Sequence, residues 1–362
     1  VDLAFRAFEP NLELEKQREL FHDCFPETIG TSVASPEHYR WKFHSIPKKP
    51  SSFEFSAWDS SNGNILGYYA ALPFNYHIHG EAFLCGMVCD VMTHSRARGK
   101  GVFTKIGRYS LEQLQSKGVD FVSGYPIRPE VIPGHLKVGW HIAQRLPLYI
   151  KVLSSSALLN NSPLRLLAPV LDLGLCLLAA ITHSWRPAHS GERIQTESAA
   201  SFLQNQPLAY EAFFNRWAKE RSCYLEKTAD FLRWRLSAPN ADYSITYLTG
   251  NNGIQALAIT RRAEIRGIPS LAVLDLMALK DARSAVGAVV NEMTRLARAS
   301  GAEAIVAMSS PASARRFRFL RHGYIRTPFI FKLILRALSV RALELGDRLN
   351  LSDVMWIDSD DL

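Results

Sequence analysis

The sequence predicts an α/β (α+β) protein of two tandem domains, the second a degenerate copy of the first. Two observations carry this. One is a strand, a basic glycine-bearing turn and the start of an amphipathic helix, read over residues 83–114. The other is a match of the chain to itself at offsets of about 183 to 193 residues, long enough for a duplicated domain and too long for a solenoid repeat. With 362 residues, of which 47% are hydrophobic and 21% charged, the chain can bury a core in each half.

The strand is the apolar run Phe83 to Val91. The helix follows from Val102, Ile106, Tyr109 and Leu114 at near-helical spacing, with Leu111 beside that face. Between them, Gly99 and Gly101 let the backbone turn tightly and approach a ligand closely. The N–H groups at the helix start, with the helix dipole behind them, suit a pyrophosphate. Arg96, Arg98 and Lys100 surround the turn with positive charge. The spacing is neither G-x-x-x-x-G-K-[ST] nor G-x-G-x-x-G.

Arg96-x-x-Gly99-x-Gly101 resembles the [QR]-x-x-G-x-[GA] signature of the GNAT acyltransferase superfamily. The resemblance implies that Arg96, Ala97, Arg98, Gly99, Lys100, Gly101 and Val102 hold the pyrophosphate of an acyl-coenzyme A, most simply acetyl-coenzyme A. It also implies backbone contacts from Val91 and Met92 to the pantetheine arm, since the thioester carbonyl is usually polarised by the strand before the turn.

The internal repeat extends the resemblance over most of residues 1–335. Tyr39 to Phe43 is echoed by Leu232 to Leu236, Val88 to Met92 by Val273 to Met277, Gly118 to Val122 by Gly301 to Ile305, and Leu136 to Trp140 by Leu320 to Tyr324, all in one order. The blocks fit GNAT domains, so each half is expected to be a mixed central sheet flanked by helices. The second half lacks paired glycines after Asp275-Leu276-Met277 and places Asp281 where a pyrophosphate would sit. Coenzyme A is therefore expected on the first half alone. The chain divides into a coenzyme A-binding domain at 1–153, an apolar helix and linker at 154–200, a degenerate domain at 201–336 and a tail at 337–362. The tandem arrangement resembles that of the enhanced-intracellular-survival and mycothiol synthase types.

The resemblance asks for an acid that protonates the leaving thiolate, often the Tyr opening the last block. Counting back from Gly139 puts His135 there, and histidine can donate a proton near neutral pH. Tyr125, at the end of the preceding strand, is the alternative acid. The second half has Phe319 at the matching place, which cannot titrate. Asp90 has a counterpart, Asp275, in the half without a cofactor turn, so both read as structural. His77, His79 and Glu81 share the alternation of one strand face and read as a solvated face, so no metal is expected.

A formal net charge of +8 favours anionic partners, coenzyme A among them. No nucleic-acid motif appears, and none is expected as a partner. The five cysteines are scattered, with Cys85 and Cys89 roughly 13 Å apart at ~3.3 Å per residue, and read as reduced thiols of a cytoplasmic protein without a signal peptide. Leu164 to Ile181 is apolar but interrupted. An inter-domain helix is the first reading and a membrane-surface helix the second, which would make the protein membrane-peripheral. The function expected is direct acyl transfer to an amine of a small molecule, sugar or peptide. A Fem-like aminoacyl-tRNA-dependent transferase and a non-catalytic coenzyme A-binding protein are the alternatives.

Overall fold

A computed structural model describes residues 2–154, 174, 192–349, 351 and 353–360. The apolar run at 164–181 lies outside the described residues, Gly174 excepted. The elements are β1 (Leu3–Ala7), α1 (Pro10–Cys24), α2 (Pro36–His44), β2 (Phe53–Asp59), β3 (Asn64–Ile78), β4 (Glu81–Thr93), α3 (Val102–Ser116), β5 (Phe121–Gly124), α4 (Ile132–Lys137) and β6 (His141–Val152). The second half follows with β7 (Arg193–Ser198), α5 (Ala199–Asn205), α6 (Pro207–Lys219), β8 (Cys223–Leu225), α7 (Ala229–Arg235), β9 (Tyr243–Gly250), β10 (Gly253–Ile265) and β11 (Ile268–Ala278). It closes with α8 (Arg283–Ala299), β12 (Ala304–Met308), α9 (Pro311–Arg316), β13 (Ile325–Ala337) and α10 (Val340–Leu345).

Two compact units result, and neither is a continuous segment. The first comprises Val1–Gln144, Ser237–Asn240 and Lys332–Asn350; the second comprises Arg145–Leu236, Ala241–Phe331 and Leu351–Leu362. In the first, the strand order is β1-β2-β3-β4-β5-β13, antiparallel except for the parallel pair β4 and β5. In the second it is β7-β9-β10-β11-β12-β6, antiparallel except for β11 and β12. The duplication read from the sequence is thus present as two mixed sets of strands with one order and one pattern of pairing. Each half gives up its final strand: β6 pairs with β12, and β13 pairs with β5.

Local chemistry explains the common parts. The long hairpins turn at His79-Gly80 and at Arg266-Gly267, all four residues having positive φ. Two successive left-handed residues match a type I′ turn, whose twist suits the flanking strands. His79 therefore occupies a turn and does not share a strand face with His77, which corrects the reading of that pair. The helices of the repeat end at Gly118 and Gly301, both left-handed, as expected for a helix C-terminus.

Val102, Ile106, Leu111 and Leu114 of α3 pack on Phe55, Leu66, Ala71, Val88 and Val122, with Ile334 and Leu338 of the transferred strand region completing that core. In the second unit Ala285, Val286, Val289, Val290 and Met293 of α8 pack on Ala256, Ala258, Val273 and Ile305. The polar stretch expected to serve as linker is strand β7 from Arg193 onward. There Thr196 Oγ1 meets Thr246 Oγ1 at 2.9 Å across the pair with β9.

Candidate functional site

The site lies in the first unit, where β4 outruns its parallel partner. β4 and β5 are in register from Cys85 and Phe121 to Val88 and Gly124, and β5 ends there while β4 continues to Thr93. Immediately past this point β4 bulges: Ala70 faces Cys89 and Tyr68 faces Met92, so Asp90 and Val91 stand against Tyr69 alone. Asp90 takes a left-handed φ of 46°. A bulge bends its strand and takes backbone groups out of the ladder. Val91 therefore stands outside the pairing with β3 and beyond the end of β5, whereas Met92 returns to register with Tyr68 and is buried.

A buried ion pair holds the bulge. Lys42 Nζ, on α2, donates to Asp90 Oδ1 at 2.8 Å, and both side chains are largely shielded from water. The second unit repeats the device: Lys227 Nζ donates to Asp275 Oδ2 at 2.8 Å beside a register shift between Ile259 and Thr260. This supports the structural reading of both aspartates. The lysines come from different places, one within α2 and one just before α7, so no shared sequence block reveals them.

After Thr93 the chain forms a short 3-10 turn, Ser95–Ala97, then passes through Arg98 to Gly101 into α3. Asp23, at the end of α1, anchors the turn. It accepts from Ser95 N at 2.7 Å and from Ser95 Oγ at 2.8 Å. Burial pushes its carboxyl up, but these bonds, His94 and Arg98 outweigh that and hold it below the usual range. In the second unit Glu220 Oε2 accepts from Lys280 N at 2.8 Å at the corresponding turn.

The two halves then part. In the second unit α8 starts at Arg283, directly after its 3-10 turn, whereas α3 starts four residues after the Ser95–Ala97 turn has ended. Gly99 and Gly101 stand in that interval with φ of 76° and 77°. The two left-handed glycines replace the first helical turn that the second unit winds. The amides of Gly99, Gly101, Val102, Phe103 and Thr104 donate to no backbone acceptor among the described residues outside the regular helix and strand ladders, and Lys105 N to Gly101 O begins the helix at 3.1 Å. Arg96, Arg98 and Lys100 are exposed around them. A side chain on Gly99 would meet no protein atom within 4 Å, so the glycine answers to backbone conformation and to what approaches from outside.

The two candidate acids are differently placed. Tyr125 is the first residue after β5, where the strands part, and is buried. His135, on α4, is buried between the rings of Phe103 and Trp140, with centroids 5.1 Å away on either side. Burial pushes its pKa down to about 4, so the ring is neutral at pH 7 and carries no acidic proton of the imidazolium kind. The geometry gives His135 a packing role between the two rings. α4 itself locks the start of α3, because a Cβ on Gly134 would lie 2.5 Å from the Phe103 ring.

Residues 10–143 match the family model described as an acetyltransferase (GNAT) domain. This segment of the first half is therefore similar to GNAT acetyltransferase domains. No curated protein matches the sequence. Solved structures of the same fold span both units. A GCN5-related N-acetyltransferase from Anabaena variabilis is 14% identical, with a TM-score of 0.64 over 94% of this chain and 74% of that one. One from Kribbella flavida is 13% identical, with a TM-score of 0.61 over 94% and 72%. Eis1 from Mycobacterium abscessus is 13% identical, with a TM-score of 0.59 over 94% and 75%. Among the described residues no helix is long and apolar enough to cross a membrane.

Proposed function

We propose that the chain transfers an acyl group, acetyl in the simplest case, from coenzyme A to an amine on a small molecule, sugar or peptide. The observation that carries this is the unwound start of α3. Five main-chain amides and three cations there meet any anion that enters, and the second unit winds a helix through the equivalent place. The residues fit a pyrophosphate held by Arg96 to Val102.

Acyl-coenzyme A, when bound, would supply the thioester. The backbone N–H of Val91 is the group assigned to polarise its carbonyl, and the bulge that takes Val91 out of the pairing with β3 supports this. The acceptor amine attacks that carbonyl, a C–N bond forms as the C–S bond breaks, the nitrogen gives up a proton to solvent water, and the leaving thiolate takes one. Tyr125 is the group assigned to give it. No residue of the site is assigned as a covalent nucleophile, so transfer is direct.

Calorimetry with coenzyme A tests the cofactor assignment. Gly99→Val with Gly101→Val is expected to abolish binding while the fold is retained, and undiminished binding would overturn it. Thiol release from acetyl-coenzyme A across an amine panel then separates an enzyme from a binding protein.

A further inference from the structure

The second unit holds a buried group of positive charge that acyl transfer does not use. Lys151 lies on β6, opposite Ile305 of β12, and is 8% exposed. Its Nζ donates to Thr294 Oγ1 on α8 at 3.0 Å, and that hydroxyl passes its own proton to Val290 O. An ammonium carries three protons, and Thr294 takes one of them. Tyr149, two residues earlier on the same face of β6, packs edge-on against Phe319 at 5.3 Å. This brings the 3-10 turn Phe319–His322 over that face. His322 follows Phe319 by one turn of such a helix, is 7% exposed, and has an Nδ1 with no hydrogen-bond partner.

The groups around them are cationic. Burial first, then Lys151, Arg318 and Arg321, push His322 down to about 4; burial and Arg298 lower Lys151 to about 8. Arg298 stands one helical turn after Thr294, and Tyr149 faces Arg315 and Arg326. Glu303, the carboxylate just before β12, leaves one oxygen buried without a hydrogen-bond partner, and among the described residues it forms no ion pair with Lys151. Lys42 and Lys227, also buried, each hold a carboxylate. The first unit places Arg336 at the corresponding register of its transferred strand, opposite Val122, and satisfies it with the carbonyl of Val138.

Buried charges are paired or neutralised. We propose that Lys151 and His322 form an oxyanion site in the second unit, taking a phosphate or a phosphate ester. Two ammonium protons and an imidazole N–H are available to such a ligand, and Arg298, Arg318 and Arg321 add positive charge suited to a dianion.

The test is a side-chain NMR titration of the full chain in inorganic phosphate, with glycerol 3-phosphate, acetate and chloride as parallel arms at matched ionic strength. Phosphate is expected to raise the pKa of His322 by at least one unit and to raise the thermal midpoint with concentration. Tighter binding of the ester than of the free ion would mark a phosphorylated ligand as the source. Lys151→Met and His322→Gln are each expected to weaken phosphate binding tenfold or more and to leave coenzyme A binding at the first unit unchanged. A response to acetate or chloride equal to that of phosphate overturns the proposal. So does wild-type affinity in Lys151→Met, or a His322 titration indifferent to phosphate, which needs no variant to fold.

Discussion

Gly99 and Gly101 show what a backbone conformation can demand of a residue. Neither is pressed by a neighbour, since the nearest atom to an added Cβ is 3.9 Å away at Gly101 and farther at Gly99. Both are left-handed, where an L side chain is strained by about 1 kcal/mol. A valine at either place is therefore expected to act on ligand binding far more than on the fold. His135 and Tyr125 separate in the same way. Tyr125→Phe is expected to lower kcat on the order of 100-fold in a thiol-release assay. His135→Phe, which keeps an aromatic ring between Phe103 and Trp140, is expected to leave turnover at pH 7 within a few-fold.

His135→Phe carries a second readout. The folded pKa of about 4 lies below the usual 6.5, so between these values the unfolded chain takes up a proton that the folded one refuses. Stability falls as pH drops through that window. Urea unfolding at pH 7 and pH 5 is expected to show His135 contributing about 2 kcal/mol of loss, absent in the phenylalanine variant.

The bulge of β4 is a feature of the element and of no one residue. The apolar run of the strand was legible in the sequence, but the two-against-one register at Asp90 and Val91 was not, because it depends on how β3 pairs with β4. Its anchor was also hidden, since Lys42 lies 48 residues from Asp90. Lys42→Met would strand a buried carboxylate and is expected to cost about 3 kcal/mol in denaturant unfolding, with Asp90→Asn added in the same chain restoring much of it. Asp23 is comparable: it pins Ser95 across 72 residues, with no local pattern to announce it. The start of α3, by contrast, was readable from the glycine spacing.

Across the whole molecule the decisive fact is the transfer of the last strand of each half. The family match covers 10–143, yet the sheet of that unit is completed by residues 334–337 of β13, and Asp120 is bound by Ser339 Oγ at 2.8 Å and by Arg341. A fragment ending at Gln144 leaves β5 without its antiparallel partner and the core without Ile334 and Leu338. Such a fragment is expected to show no cooperative thermal transition by circular dichroism. Joining residues 332–350 to it through a flexible linker is expected to restore one.

By itself the sequence determined the features that live in short windows of chain: the basic turn with its two glycines, the apolar face of α3, the glycine-ended helices and the repeated order of blocks. Each is set by φ, ψ or periodicity within a few residues. Tertiary structure decided which strand completes each sheet, where β4 bulges, which carboxylate holds the turn, and that His135 is a packed aromatic neighbour. Those depend on pairing between residues dozens to hundreds of positions apart, and on burial, which no local pattern encodes.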